Sequence, residues 1–335
     1  MTDPTSSELP ARPQRETPRS SRSGGKGTLA VVTIVHGRHE HLERQLWGLR
    51  QQRRLPDAHV IVAMDDSRVE TVAREHAGSW EVHVAAMGRR NGGHLPLAAA
   101  RNLGVDVAAA AGADRVVLLD VDCIPSAGLL ERYAGVLRSD EENSPDGPDR
   151  GVVGGPVVLA GEVAYLPPMP PGRDYRDIGL AALTGLAPPH PARPVLGAHE
   201  TRPAQDLRLF WSLSFALTVP SWRAVGGFDE GYVGYGGEDT DFGQRVGAAG
   251  GRLLWVGGAL AHHQHHPTAS PPVQHVHDIV ANANRFAERW GWWPMEGWLE
   301  AFAAQGLACR SADGSWRTSS APSTGGGVSG RRPPC

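Results

Sequence analysis

Between residues 28 and 135 four short apolar runs are separated by three helix-periodic stretches. "TLAVVTIVHGR" leads into "HEHLERQLWGLRQQ", "AHVIVAMDDS" into "VETVAREHA", "WEVHVAAM" into "LPLAAARNLGVDVAAAAGA", and "DRVVLLDVD" closes the series. A strand covered on both faces reads as an unbroken apolar run, and a parallel neighbour is reached only through a crossover long enough for a helix. In the first helical stretch Leu42, Leu46 and Leu49 fall on one side, which gives it a face to lay on a sheet. The pattern predicts an α/β fold, a mostly parallel central sheet with helices on both faces. In such sheets ligands bind beyond the carboxyl ends of the strands. His36-Gly37-Arg38, Asp65-Asp66 and Asp120-Val121-Asp122 all fall there, so one concave site would gather them.

Asp120 and Asp122 are two residues apart, and side chains alternate along a strand. On a strand tip both would face one way and form a hard anionic site suited to Mg²⁺ or Mn²⁺ carrying a phosphorylated ligand. A bare DxD is also compatible with two solvated acids, but this pair follows "VVLL", where uncompensated charge is costly. Asp65 and Asp66 offer acceptors for a base N–H or ribose hydroxyls, or they simply form a turn. Arg101, on the alanine-rich helix, has a planar fork suited to a diphosphate.

"GYGGEDTDFGQR" at 234–245 packs three acids behind two glycines. Gly236 and Gly237 permit a left-handed approach, and Glu238 and Asp239 would then start a helix. Acids there are mildly stabilising, and Asp241 is placed to pair with Arg245 four residues on. Tyr235 and the glycines ahead of the acids suggest a floor for a sugar ring, where a carboxylate can take a proton from an attacking hydroxyl. Downstream, "HHQHH" at 262–266 ends another apolar run. Strand alternation would turn His263 and His265 to one side, and imidazole is a common ligand for Mn²⁺. The Pro/Gly-rich stretch 161–208 shows no firm period. It reads as a lid, an acceptor-binding insertion or a poorly ordered segment.

A formal net charge of -3 argues against nucleic acid as a partner. Three cysteines, at 123, 309 and 335, give no disulfide framework and no zinc spacing, which fits a reducing cytoplasm. The apolar runs are strand-sized, well short of the roughly 20 residues of a membrane span, and residues 1–27 lack the apolar core of a secretory signal. Residues 1–27 and 309–335 read as disordered arms. A single folded unit is expected over 28–308, with a nucleotide-binding half at 28–135 and an acceptor and catalytic half at 205–308. Basic residues in the N-terminal arm leave peripheral contact with the inner face of a membrane open.

Taken together, "VVTIVHGRHEHLERQLWGLRQQ", "MDDS", "LAAARNLGVDVA" and "VVLLDVDCIPS" resemble a family 2 glycosyltransferase of the GT-A (Rossmann-like) fold. "VGGFDEGYVGYGGEDTDFGQRV" is similar to the galactosyltransferase motif of β-1,4-galactosyltransferases and polypeptide N-acetylgalactosaminyltransferases. The resemblance covers nearly all of residues 28–300. It implies an inverting transfer from a nucleotide sugar, most often UDP-linked, with Mn²⁺ or Mg²⁺ as cofactor. The acceptor would be a carbohydrate, a lipid-linked sugar or a small molecule. By that likeness Asp65 holds uracil or ribose, with Asp66, Arg38 and Arg101 nearby. Asp120 lies near the ribose or donor sugar, and Asp122 binds the metal with His263 or His265. Glu238 binds the acceptor hydroxyl and Asp239 acts as base. Two other readings are a sugar-1-phosphate nucleotidyltransferase, whose phosphate loop "VHGRHEH" matches poorly, and a non-catalytic carbohydrate-binding relative, against which the intact DxD and GGED argue.

Overall fold

A computed structural model describes residues 27–90, 92–142, 155–267 and 269–319. The predicted alternation is present: β1 Leu29–Val35, α1 His39–Arg50, β2 Ala58–Met64, α2 Arg68–His76, β3 Glu81–Met87, α3 Leu97–Ala110 and β4 Arg115–Leu119. β1, β2 and β4 are buried along their whole length, as their unbroken apolar runs require, whereas β3 is partly exposed. β3 ends the sheet, and its Glu81 and His83 are the polar residues an edge strand carries. β3, β2, β1 and β4 pair in parallel in that order.

After β4 the chain continues through β5 Cys123–Pro125, α4 Leu129–Glu142, β6 Val157–Tyr165, α5 Leu180–Leu186 and β7 Thr201–Pro203. Then come β8 Ser214–Thr218, α6 Val219–Val225, α7 Glu238–Ala248, β9 Arg252–His263, α8 Val276–Trp290, α9 Glu296–Ala304, β10 Ala308–Arg310 and β11 Trp316–Thr318. β8 joins β4 antiparallel, and the sheet runs on through β6, β9 and β5, with β7 on β9. The full order is β3-β2-β1-β4-β8-β6-β9-β5.

Two apolar layers sandwich this sheet. Leu29, Val31 and Val35 face Leu42, Leu46 and Leu49 of α1 and residues of α2 and α4. Ala30, Val32 and Ile34 face α3, Trp222 of α6 and Phe242 and Val246 of α7. Burying such side chains on both faces supplies roughly 1.5–3 kcal/mol each for the larger ones. In α3, Gly104 lets the helix sit close to the sheet, since a Cβ there would fall 2.4 Å from Val32 Cγ1.

Two expected boundaries move. The folded part continues beyond Ala308, because β10 and β11 form a hairpin whose Trp316 is buried with Phe302 and Leu299. Asn284 clips that hairpin to α8 through the N–H and carbonyl of Trp316. The acidic, proline-containing sequence "SDEENSPDGPDR" at 139–150 reads as a surface loop, but its first residues, 139–142, end α4. The rest of that loop, the N-terminal arm to residue 26 and the tail from 320 lie outside the described residues. Among the described residues no helix is long and apolar enough to cross a membrane.

Candidate active site

A cleft of about 750 Å³ opens over the carboxyl ends of β1, β2 and β4, and Arg38, Arg101, Asp120, Asp122, Tyr235, Gly236, Gly237, Glu238 and Asp239 all line it. Acids separated by more than 100 residues in the chain thus share one cavity.

Asp120 and Asp122 do not lie on a strand tip as expected. β4 ends at Leu119, and the Cys123 N–H donates to the Asp120 carbonyl at 2.9 Å, so the pair occupies a tight turn between β4 and β5. The turn is fixed from below by Gln45 of α1, which is fully buried. Its amide donates to the Asp120 carbonyl at 2.7 Å and to the Cys123 carbonyl at 3.3 Å, while its oxygen accepts from Thr33 of β1.

The turn sends the two carboxylates to different partners. Asp122 meets the histidines because β5 pairs with β9 in a register that sets Cys123 opposite His263, and the Gln264 N–H donates to the Asp122 carbonyl at 2.7 Å. His263 Nε2 lies 3.6 Å from Asp122 Oδ1, His266 Nε2 lies 3.4 Å from Oδ2, and Arg38 donates to Oδ2 at 3.2 Å. Burial works against the Asp122 charge, but His266, His263 and Arg38 outweigh it and hold its carboxyl down at about 2. Burial in turn lowers the His263 pKa, which favours the neutral imidazole that a cation needs. Ligand atoms of Asp122, His263 and His266 all lie within 4.8 Å of one another. One carboxylate with two imidazoles suits Mn²⁺ or a similar divalent ion.

His265 is not part of this group. Strand alternation ends with β9 at His263; His265 is exposed, its N–H bonded to the Tyr175 hydroxyl, and His266 swings back instead. Asp120 is also outside the group, and its carboxylate takes Arg101 at 3.1 Å.

Arg101 is 5% exposed and bridges two halves of the molecule, donating to Asp120 Oδ1 and to Glu238 Oε1, each at 3.1 Å. Phe228 lies under its guanidinium at 5.2 Å. This arginine orients two acids and has its fork already filled, which differs from the expected diphosphate contact. Burial pushes Asp120 up, Arg101 pulls it back and Asp122 adds to the rise, leaving it at about 6.

Glu238 and Asp239 form the first turn of α7, reached through Gly236 and Gly237 at φ 94° and 91°. L side chains rarely adopt that region. Asp239 accepts the Thr240 N–H at 2.7 Å. Burial and the neighbouring Glu238 push its carboxyl up to about 7, against the opposing pull of the Thr240 N–H and Arg101. A carboxylate poised there suits proton transfer near neutral pH. Asp241 does not pair with Arg245. It is fully buried and accepts from Trp290 Nε1 at 2.8 Å and Arg289 at 3.2 Å, anchoring α7 to α8, while Arg245 donates to the carbonyls of Val225 and Gly227.

Neither Asp65 nor Asp66 lines the cleft. Both oxygens of Asp66 are used locally, by the Gly37 N–H, His39 and the Arg68 N–H at the start of α2. Asp65 turns the chain at φ 49° and pairs with Arg89 at 2.6 Å; Arg89 contacts His36 Nε2, and His36 does line the cleft.

Two aromatic walls escaped the sequence reading. On one side Tyr165, His190 and Trp211 form a chain of ring contacts, Tyr165 to His190 at 5.6 Å and His190 to Trp211 at 4.7 Å. On the other, Trp292, Pro294, Met295 and Trp298 stand beside Tyr235, whose ring stacks on His275 at 4.7 Å. The signal for the second wall was present in "WGWWPMEGW" at 290–298, with four tryptophans in nine residues.

Comparison with known proteins fits this geometry. The family described as glycosyl transferase family 2 matches residues 30–155, and Glyco_transf_7C, described as the N-terminal domain of galactosyltransferase, matches residues 192–268. Validoxylamine A glucosyltransferase from Streptomyces hygroscopicus subsp. limoneus is 27% identical over 78% of this chain and 56% of its own. Chondroitin synthase from Escherichia coli is 26% identical over 71% of this chain and 35% of its own. The chain therefore spans little more than half of the first of these relatives and about a third of the second. Among solved structures, S. aureus TarS aligns with a TM-score of 0.50 at 12% identity, over 83% of this chain and 42% of that one, a likeness of fold alone. Both matched regions fold into one sheet around one cleft, so the chain has an α/β fold of the GT-A kind and is similar to family 2 glycosyltransferases over residues 30–155 and to a galactosyltransferase domain over residues 192–268.

Proposed function

We propose that this protein transfers a sugar from a nucleotide sugar of the UDP class to an acceptor hydroxyl with inversion at the anomeric carbon. The observation that carries the reading is the opening of Asp122, with its two imidazoles, and Asp239, with its raised carboxyl pKa, into the same cleft. The names of the relatives, a glucosyltransferase and a chondroitin synthase, support glycosyl transfer onto a carbohydrate-like acceptor.

Asp122, His263 and His266 would hold the divalent cation, which supplies neutralisation of charge on a departing diphosphate. Every other part belongs to the chain itself. The nucleoside would lie against Ile34, His36, Met64 and Leu97, with Arg38 above it; Asp65 then acts indirectly, holding His36 through Arg89. Glu238, fixed by Arg101, orients the acceptor hydroxyl. The hydroxyl oxygen attacks the anomeric carbon from the face opposite the diphosphate, and Asp239 takes its proton as the C–O bond forms. The anomeric C–O bond to phosphate breaks and the diphosphate leaves with the electron pair. Holding both substrates in line supplies much of the acceleration.

The experiment is a screen of UDP-sugars with Mn²⁺ and a panel of carbohydrate acceptors, read by mass spectrometry, for wild type, Asp239→Asn and Asp122→Ala. Transfer by wild type and its loss in both variants is expected. Transfer at the wild-type rate by Asp239→Asn would remove the base from this account.

A further inference from the structure

We infer that the acceptor carries a cationic amine, held over the aromatic face between Tyr235 and Trp298 and facing Glu296. The inference rests on the proposed function for which end of the cleft receives the acceptor. Its own support is the charge left over once the internal pairs are counted. Of the three guanidinium groups lining the cleft, Arg101 is engaged by Asp120 and Glu238, Arg208 by Asp206 through bonds of 2.7–3.0 Å, and Arg38, which donates to Asp122 here, belongs to the donor end. A nucleoside diphosphate with one divalent cation adds little net charge to the donor end. Two lining carboxylates, Asp239 and Glu296, then remain toward the acceptor. Among the described residues Glu296 has no hydrogen-bond or ion-pair partner, although it stands between Met295 and Trp298 on the lining wall.

The wall itself favours a cation. Tyr235 is 40% exposed, its ring stacks within 15° of His275, and Trp298 lies 6.2 Å from it. The Tyr235 N–H is tied to Asp278 at 3.2 Å, which sets the ring in place before any ligand arrives. Met295 closes the corner, where a Cβ on Gly236 would meet its Sδ at 2.9 Å. An ammonium over such a ring gains from the π face, most of all where water is partly excluded. A neutral sugar would gain only the apolar contact. A uronate or phosphate in the same place would face Asp239 and Glu296 with like charge.

The test is equilibrium binding to the full chain loaded with UDP and Mn²⁺, followed by tryptophan fluorescence. The probes are methyl glucoside, its four singly aminated analogues at carbons 2, 3, 4 and 6, their N-acetylated forms, and methyl glucuronide. At least one amine is expected to bind about tenfold tighter than the parent, equivalent to about 1.4 kcal/mol, and acetylation should erase the gain. The glucuronide should bind more weakly than the parent. In Glu296→Gln and in Trp298→Ala the amine preference should shrink to under about threefold, with UDP affinity read in parallel as the check that the variant is folded. Equal binding of parent and every amine, tighter binding of the glucuronide, or a preference untouched by Glu296→Gln overturns the inference. Failure of UDP to bind with Mn²⁺ would instead strike the proposed function.

Discussion

Replacing Arg101 with methionine removes the buried cation that holds Asp120 and Glu238 at 3.1 Å each. Methionine roughly fills the space of the stem over Phe228 but supplies no donor. Two buried carboxylates then lose their shared counter-ion with Asp239 beside them. Breaking a buried pair by deleting one partner costs about 3–5 kcal/mol, which for a domain of this size corresponds to a fall in Tm of about 6–20 °C. The loss must depend on pH. Arg101 opposes the rise of both the Asp120 and Asp239 carboxyls, so its removal lifts them further. Its stabilisation is therefore greatest where those acids are charged and falls as they protonate on acidification. A further rise of one unit across the two acids makes the cost about 1.4 kcal/mol larger at pH 8 than at pH 5. Urea denaturation of wild type and Arg101→Met at the two pH values measures this directly. A loss below about 1 kcal/mol, or the same loss at both pH values, would refute the view that Arg101 is the shared counter-ion of the site.

Asp239→Asn should lower kcat about 10²- to 10⁴-fold, and wild-type kcat should rise with pH through about 7; a wild-type profile flat from pH 5.5 to 8.5 would contradict the base assignment. The folded protein keeps the Asp239 proton to higher pH than the unfolded chain, so stability declines as pH climbs from the ordinary aspartate range toward 7; Asp239→Asn should raise Tm more at pH 8 than at pH 5, by calorimetry without ligands. His266→Ala should weaken Mn²⁺ binding by more than the roughly 10- to 100-fold that loss of a supporting group costs, while His265→Ala binds Mn²⁺ as wild type does, by isothermal titration calorimetry. Gln45→Leu should cost about 1–3 kcal/mol, because the Asp120 and Cys123 carbonyls and the Thr33 hydroxyl each lose one of their buried hydrogen bonds; a chemical melt within about 0.5 kcal/mol of wild type would show that the turn holds without it.

Much of the fold was legible because its cause is local. Unbroken apolar runs such as "LAVVTIV" leave little choice but a buried strand, and Leu42, Leu46 and Leu49 mark the face of the crossover helix. The rule that ligands lie beyond strand ends gathered Arg38, Asp120 and Asp122, which line the cleft, but also Asp65 and Asp66, which do not; Arg101, Glu238 and Asp239, added by the family resemblance, line the same cleft. What the sequence hid depends on where elements stop. Reading the DxD as strand rather than turn placed both acids on one ion, whereas the turn gives Asp120 to Arg101 and Asp122 to the histidines. The same error of one strand end chose His265 over His266. Asp241 was assigned to Arg245 by spacing along one helix, but burial draws it to Arg289 and Trp290 on another. The aromatic walls carry no periodic signal, since His190 and Trp211 on one wall, and Tyr235 and Trp298 on the other, meet only through the tertiary fold.

The guanidinium of Arg101 spans the seam between the region matched to family 2 and the region matched to the galactosyltransferase segment. Recombination between homologous genes anywhere from residue 102 to residue 237 would separate that cation from Glu238, and a crossover ahead of residue 120 would separate it from Asp120 as well. Hybrids built at such crossovers should survive only where both parents keep the matching residues, which makes the seam a barrier to shuffling donor and acceptor preferences independently.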